Sequence, residues 1–396
     1  MMERLGIAFY TDSYLPAVDG VVTSILNFKE ELEKRGHDVY IFSSRKFSTS
    51  ARSSKNVFLY PGIDFKPYPQ YSMAIFPYNS MLKLKDLGID VIHAHTPLVM
   101  GFAAMVSAKL GKYPIVGSYH TIINNKSVVQ DYYPKNKQLK KITSKYMLKY
   151  LKFFYRRCNA TTVPSDPMKI FLERYGGIQN IEVVPNSIDL KTFNPKVDGS
   201  ATKSRLNIKD DEKMVLYLGR LSKEKKIEVM LKAASIISKK RKDVKFVIGG
   251  TGPAAIYYRR MAEGLGLGKN VKFIGYVNNS VLPKLYAASD VLCLPSTFET
   301  QGIVSLEAMA TGKPVVGADY LALSELIKNG KNGEKFKPGN YISCAKKIEK
   351  VLNDSSPYIG NALSTAAQFS VKKVTDRLLN VYDLVLTNYN GVYTDR

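Results

Sequence analysis

Two carboxylates, Glu299 and Glu307, stand eight residues apart in FETQGIVSLEA, residues 298–308, with Gly302 between them. The preceding DVLCLPST has the unbroken apolar run of a buried strand, and IVSLEAMATG has helical spacing ending at Gly312. Glu299 therefore falls in a strand-to-helix loop and Glu307 inside the helix, at the strand end where open α/β sheets bind ligands. The N–H groups of Gly302, Ile303 and Val304 at the helix start suit a phosphate. A carboxylate beside a phosphate repels it, so the chemistry that fits both is a diphosphate with hydroxyls on either side. Spacing alone fits equally well a helix-terminus charge at Glu299 and a solvated helix face at Glu307.

Other residues extend this chemistry. Arg220 and Lys225 in GRLSKEKK follow an apolar strand and enter a helix expected to start near Glu224. A guanidinium fork and a point charge together can neutralise a leaving diphosphate without a metal, although 58 bases also make a chance surface pair plausible. Gly20 opens the helix GVVTSILNFKEELEKRG, where a bare backbone can approach a ligand or simply turn. His120 ends the strand YPIVGSYH, while His93 and His95 end DVIHAH, with His93 read as packed in the core. The histidines do not pair with carboxylates at metal-ligand spacing, so no metal and no cofactor is expected.

The elements that must position these residues alternate along the chain. LGIAFY, DVYIF, DVIHAH, YPIVGS and NATTVP, then KMVLYLG, VKFVIGG, VKFIGY, DVLCLP and GKPVVGA, read as short apolar strands separated by helical stretches. That pattern specifies parallel sheets covered by helices, an α/β fold of two Rossmann-like halves. The Pro- and Gly-broken stretch VPNSIDLKTFNPKVDGS, residues 184–200, is the hinge, giving domains 1–190 and 191–370. Residues 371–396 carry apolar residues at helical spacing and form a terminal helix. Length agrees, since 396 residues exceed one ordinary core and two domains imply a cleft.

Composition narrows the partners. A formal charge of +24 calls for nucleic acid, an anionic membrane or a phosphorylated substrate. Cys158, Cys293 and Cys344 are widely spaced in apolar settings, as buried thiols of a reducing cytosolic protein are. No window approaches the apolar length of a spanning helix, so membrane contact is expected to be peripheral.

FETQGIVSLEAMATGKPVV resembles the donor-site segment of the retaining, two-domain GT-B glycosyltransferases of family 4. GRLSKEKK is similar to that family's diphosphate-binding segment, VIGGTGP to its glycine turn and VPNSID to its interdomain strand end; TDSYLPAVDGVVTSI and GSYHT are similar to loops of its amino domain. The resemblance implies a GT-B fold whose two Rossmann-like domains face a cleft, with the terminal helix returning to the first domain. It implies that Glu299 holds sugar hydroxyls, Glu307 the ribose, and Arg220 with Lys225 the diphosphate. It also implies that Gly252, Thr300, Gln301, Gly302, Ile303 and Val304 line the donor site, that Gly20 and His95 meet substrate, and that His120 contacts the transferred sugar. Where the family often has two glycines, this chain has Asp19 before Gly20. Within the family the motifs look most like diacylglycerol glucosyltransferases, implying a nucleotide sugar, a lipid acceptor and a cytoplasmic, peripheral location. Alternatives are a soluble acceptor, either polysaccharide or small sugar, and a charged binding protein without catalysis.

Between Lys112 and Arg157 lie eleven bases and one acid, Asp131. On a helical wheel of residues 135–157, Lys141, Lys145, Lys149, Lys152 and Arg156 share one arc, opposite Leu139, Ile142, Tyr146, Met147, Tyr150, Leu151, Phe153 and Phe154. This basic amphipathic helix is read either as a solvated face or as a contact for an anionic membrane surface. Nucleic acid is not expected, because the wheel places the aromatics opposite the bases.

Overall fold

The structure, a computed structural model, describes residues 3–16, 20–46, 55–64, 72–75, 77, 79–120 and 137–394. Asp19 and Asp131 lie outside the described residues. The chain forms two compact units, residues 1–187 with 371–396, and residues 188–370.

The first unit contains β1 (Gly6–Thr11), α1 (Gly20–Lys34), β2 (Asp38–Lys46), β3 (Val57–Asp64), β4 (Ser72–Ala74), α2 (Asn79–Leu84), β5 (Val91–Ala94) and α3 (Val99–Gly111), followed by β6 (Ile115–Ser118), α4 (Lys137–Tyr155), β7 (Ala160–Val163), α5 (Asp166–Phe171) and β8 (Ile181–Val183). Its sheet runs β4-β3-β2-β1-β5-β6-β7-β8, parallel except where β4 pairs antiparallel with β3. All six residues of β1 are buried, because both faces of the sheet are covered.

The second unit contains α6 (Ser200–Arg205), β9 (Lys213–Leu218), α7 (Ile227–Lys240), β10 (Val244–Gly249), α8 (Ala255–Gly264), β11 (Val271–Gly275), α9 (Leu282–Ala288) and β12 (Val291–Leu294), then α10 (Ile303–Ala310), β13 (Val315–Ala318), α11 (Leu321–Leu326), β14 (Gly333–Phe336), α12 (Tyr341–Asn353) and α13 (Ser356–Ala367). Its all-parallel sheet runs β11-β10-β9-β12-β13-β14.

The chain leaves the first unit after Ser187, slightly earlier than the expected boundary at 190. Ile188 belongs to the second unit because its N–H donates to the Phe369 carbonyl at 2.8 Å and its side chain is buried in that unit's core. The final helix, α14 (Val371–Thr394), returns to the first unit and packs on α1. Val374, Leu378, Val381, Tyr382 and Val385 meet Val21, Ile25, Phe28 and Leu32 in one core, and Arg35 pairs with Asp376 at 2.6 Å. Periodic apolar residues on α14 thus find the matching stripe of α1. Cys293 and Cys344 are buried free thiols with their sulfurs 3.8 Å apart, and Cys158 is half-buried.

Candidate active site

In the second unit β12 delivers the segment 295–302 to the carboxyl end of the sheet, and Gly302 opens α10 with φ of 79°. A side chain there would be strained by the left-handed backbone and would crowd Leu323 Cδ2 at 3.0 Å, so the position favours glycine. Ile303 and Val304 pack against the core, which leaves only their backbone for a ligand, while Gln301 is buried and Thr300 partly so.

Lys225 and Glu299 come together. The ammonium donates to Glu299 Oε1 at 2.8 Å and to the Phe298 carbonyl at 3.2 Å, with the two side chains 18% and 14% exposed. The diphosphate ligand and the sugar ligand expected from sequence are therefore one ion pair, largely withdrawn from water. Lys225 also differs from expectation in its setting. The helix expected near Glu224 begins only at Ile227, after a 3-10 turn over Lys223–Lys225 that ends in left-handed Lys226, φ 53°. The turn forms because Glu224 is buried and accepts from the Ser222 hydroxyl, so Glu224 folds inward instead of starting a helix.

Arg220 sits on a braced loop. Tyr217 Oη donates to its carbonyl at 3.2 Å, Leu221 N–H donates to the Thr251 carbonyl at 2.8 Å, and Ala254 N–H donates to the Leu221 carbonyl at 2.8 Å. Gly252 makes this possible: a Cβ there would lie 2.5 Å from the Leu221 carbonyl oxygen. The glycine turn thus seats the Arg220 loop by close backbone approach.

Glu307 lies on α10, partly buried, and accepts from Tyr286 Oη of α9 at 2.6 Å. Burial pushes its carboxyl up to about 7, against the lowering effect of the Tyr286 hydroxyl. The solvated-face alternative therefore does not describe this residue. Tyr286 was not singled out from sequence, since a tyrosine in LPKLYAA reads simply as core.

The first unit brings three histidines into a column. The rings of His93 and His95 stack at 4.1 Å between centroids, and those of His95 and His120 at 5.8 Å. Burial holds His93 down to about 3 and His120 to about 4, and pushes His95 well below the ordinary imidazole range, so the column is neutral at physiological pH. His93 is a core residue, as expected, with Nδ1 2.7 Å from Tyr382 Oη and Nε2 2.8 Å from Ser118 Oγ. Burial keeps Tyr382 protonated, and His93 Nδ1 is the acceptor its hydroxyl meets; assigning the tautomer that satisfies this hydroxyl places the His93 proton on Nε2. Neither ring nitrogen of His95, which is 1% exposed, has a hydrogen-bond partner among the described residues. Gly20 is the first residue of α1 and is exposed.

Sequence reasoning gave no role to Asp12. It is buried after β1, accepts from Thr96 Oγ1 at 2.5 Å and from Met100 N–H at 2.9 Å, and thereby caps the start of α3; burial raises its carboxyl to about 6. The acid at a strand end in YTDSY was the available signal.

On α4 the side chains of residues 137–144, Lys141 among them, lie outside those described. Leu151, Phe154 and Tyr155 are buried, but Tyr146 and Phe153 are exposed among the bases, which corrects the expected clean separation of faces. The wheel misplaced them because the sheet covers a narrower arc of the helix than the apolar residues span. Among the described residues no group of three or more His, Cys, Asp or Glu could hold a metal, and no helix is long and apolar enough to cross a membrane.

Two family patterns match the chain, "Glycosyltransferase Family 4" over residues 18–192 and "Glycosyl transferases group 1" over residues 200–368. The chain is similar to the alpha-monoglucosyldiacylglycerol synthase of Streptococcus pneumoniae, 30% identical over 82% of this chain and 73% of that protein. It is also similar to the enzyme of the same name from Acholeplasma laidlawii, 28% identical over 93% of this chain and 92% of the relative. Sucrose-phosphate synthase from Thermosynechococcus elongatus has the same fold, with a TM-score of 0.76 at 19% identity over 97% of this chain and all of the other. With both units matched in order, and Glu299, Gly302 and Lys225 gathered at the strand ends of the second, the chain belongs to the family 4, group 1 glycosyltransferases of GT-B fold.

Proposed function

We propose that the enzyme transfers glucose from UDP-glucose, with retention of the α configuration and without a metal, to a hydroxyl of diacylglycerol or a related glycerolipid. The observation that carries this reading is the similarity to two proteins named alpha-monoglucosyldiacylglycerol synthase, over 82% and 93% of this chain. The site chemistry agrees with it. Glu299 accepts from sugar hydroxyls, Glu307 from the ribose, and Arg220 with Lys225 takes the charge of the diphosphate. In a front-face displacement the bond from the anomeric carbon to the diphosphate breaks, the bond to the acceptor oxygen forms, and the acceptor proton passes to the departing diphosphate oxygen. His120 supports the positive charge that develops on the sugar. The basic segment 135–157 brings the enzyme to the anionic inner face of the cell membrane.

Release of nucleoside diphosphate from UDP-, GDP- and ADP-sugars, with and without diacylglycerol, in the presence of a chelator, tests the reading. UDP release stimulated by diacylglycerol, with an α-glucolipid by NMR, is expected. Stimulation only by a soluble sugar or polysaccharide would move the acceptor to the other reading, and no release at all would make the chain a binding protein.

A further inference from the structure

On the first unit, α3 leaves an apolar ridge in water. Phe102, Val106 and Leu110 recur every four residues along one side of the helix and are 49%, 36% and 64% exposed. Met100, Ala103, Ala104 and Ala108 on the other side are buried. A helix covering a sheet ordinarily turns polar residues outward, yet Lys109 is the one polar residue α3 exposes.

The basic helix lies on the same face of the sheet. β5–α3–β6 and β6–α4–β7 are successive parallel crossovers stepping in one direction, and right-handed connections place both helices on one side. They touch: Tyr150 Oη donates to the Pro97 carbonyl at 2.5 Å, and a Cβ on Gly101 would stand 3.4 Å from the Phe154 ring. Outward on α4, Lys149 lies 6.0 Å from the Tyr146 ring centre, and just past the helix Arg157 lies 3.6 Å from that of Phe153. Neither α3 nor α4 contains an Asp or Glu.

We propose that the α3 ridge inserts into the headgroup and upper acyl region of an anionic bilayer, beside bases and aromatics of α4 that engage lipid phosphates. The inference deepens the lipid-acceptor reading and rests on it for the choice of partner. Charge selects that occupant: two copies meeting through this face would set base against base, whereas a bilayer offers phosphate to the lysines and hydrocarbon to the ridge. Phosphate attraction alone would leave Val106 and Leu110 without a role.

The chain contains no Trp, so Phe102→Trp supplies a single indole on the ridge. Mixed phosphatidylglycerol and phosphatidylcholine vesicles should shift its emission to the blue, and brominated acyl chains should quench it. In sedimentation the wild type should retain vesicle binding at high salt, because insertion is not screened. The triple variant F102S, V106S, L110S should retain roughly tenfold less, while keeping donor hydrolysis without acceptor and its circular dichroism. An unchanged indole spectrum in F102W, with vesicles that do bind the protein, overturns the inference. A blue shift without vesicles, accompanied by a doubled mass at higher protein concentration, also overturns it, because a second copy then covers the ridge. Insertion of the F102W indole without any glucolipid product would uphold the membrane face and sink the lipid acceptor instead.

Discussion

At the carboxyl ends of β5 and β6 the first unit packs three imidazoles face to face, His93 within β5 and the other two just past the strands, whereas beyond β9 and β12 the second unit sets an ammonium against a carboxylate. Both places are the carboxyl ends of parallel strands, and both are largely closed to water, yet their charge is handled in opposite ways. Burial without a counter-charge makes the histidines neutral. Lys225 and Glu299 compensate each other, and the Phe298 carbonyl accepts a further hydrogen bond from the ammonium. The contrast teaches that a group at a strand end can be kept ready in two ways: as a neutral hydrogen-bonding surface, or as an ion pair that a charged ligand must reorganise.

The sharpest break of this comparison comes from removing charge in the second unit. Arg220→Ala should lower donor turnover by roughly two orders of magnitude, the loss expected for a preorganised charge stabiliser. Glu299→Ala should cost a similar factor, because it also strands Lys225 without its carboxylate. Steady-state release of nucleoside diphosphate measures both; a wild-type rate in Arg220→Ala would remove the diphosphate assignment, and a wild-type rate in Glu299→Ala would remove the sugar-hydroxyl assignment.

A smaller effect is expected at Glu307, the one carboxylate of the donor segment that burial pushes up to about 7. In the proposed role the ribose hydroxyls donate to Glu307, so the ionised carboxylate is the binding form, and KM for the donor should fall as pH rises from about 6 to 8. Glu307→Gln should flatten that profile. For stability the sign is opposite: a raised carboxyl favours the folded state at low pH, and that contribution disappears as pH climbs from the ordinary 4.5 through about 7. Thermal melts on the alkaline side of that range should accordingly find Glu307→Gln no less stable than the wild type. A pH-independent KM in the wild type would place the ribose elsewhere.

The smallest change sharpens the neutral side. Tyr382→Phe removes the donor to His93 Nδ1 and leaves a buried acceptor unsatisfied, at a cost of about 1 kcal/mol measured by denaturant melts. Nitrogen-15 NMR should show the His93 tautomer losing its single Nε2–H population. An unchanged tautomer would mean that Ser118 alone fixes the ring.

Much of this architecture was legible as pattern. Ten strands announced themselves as apolar runs between helical stretches; for all of them but the edge strand β11, that follows from a parallel strand inside the sheet having little polar content. Among the described residues, the four not anticipated have identifiable reasons. β4 and β8 are three-residue edge strands, too short for any period; β14, GEKF, is an edge strand with two charges; β3 carries Pro61 and Gly62 within its run. The strand-turn-helix that carries Glu299, Gly302 and Glu307 was legible too, because its carboxylates, glycine and helix start are adjacent in sequence.

The sequence by itself determined the alternation of elements, the terminal helix, the excess of bases and the family motifs, since each is written in residues near one another along the chain. Only the tertiary structure decided that Lys225 meets Glu299 across 74 positions, that Tyr286 holds Glu307, that Asp12 caps α3, and that Tyr382 reaches His93 across 289. It also decided that Phe102, Val106, Leu110, Tyr146 and Phe153 face water. The physical reason is the same in each case: a periodic pattern says which residues could be buried, but how much of a helix the sheet covers, and which distant side chain fills the remaining space, depends on packing between elements that local sequence does not encode.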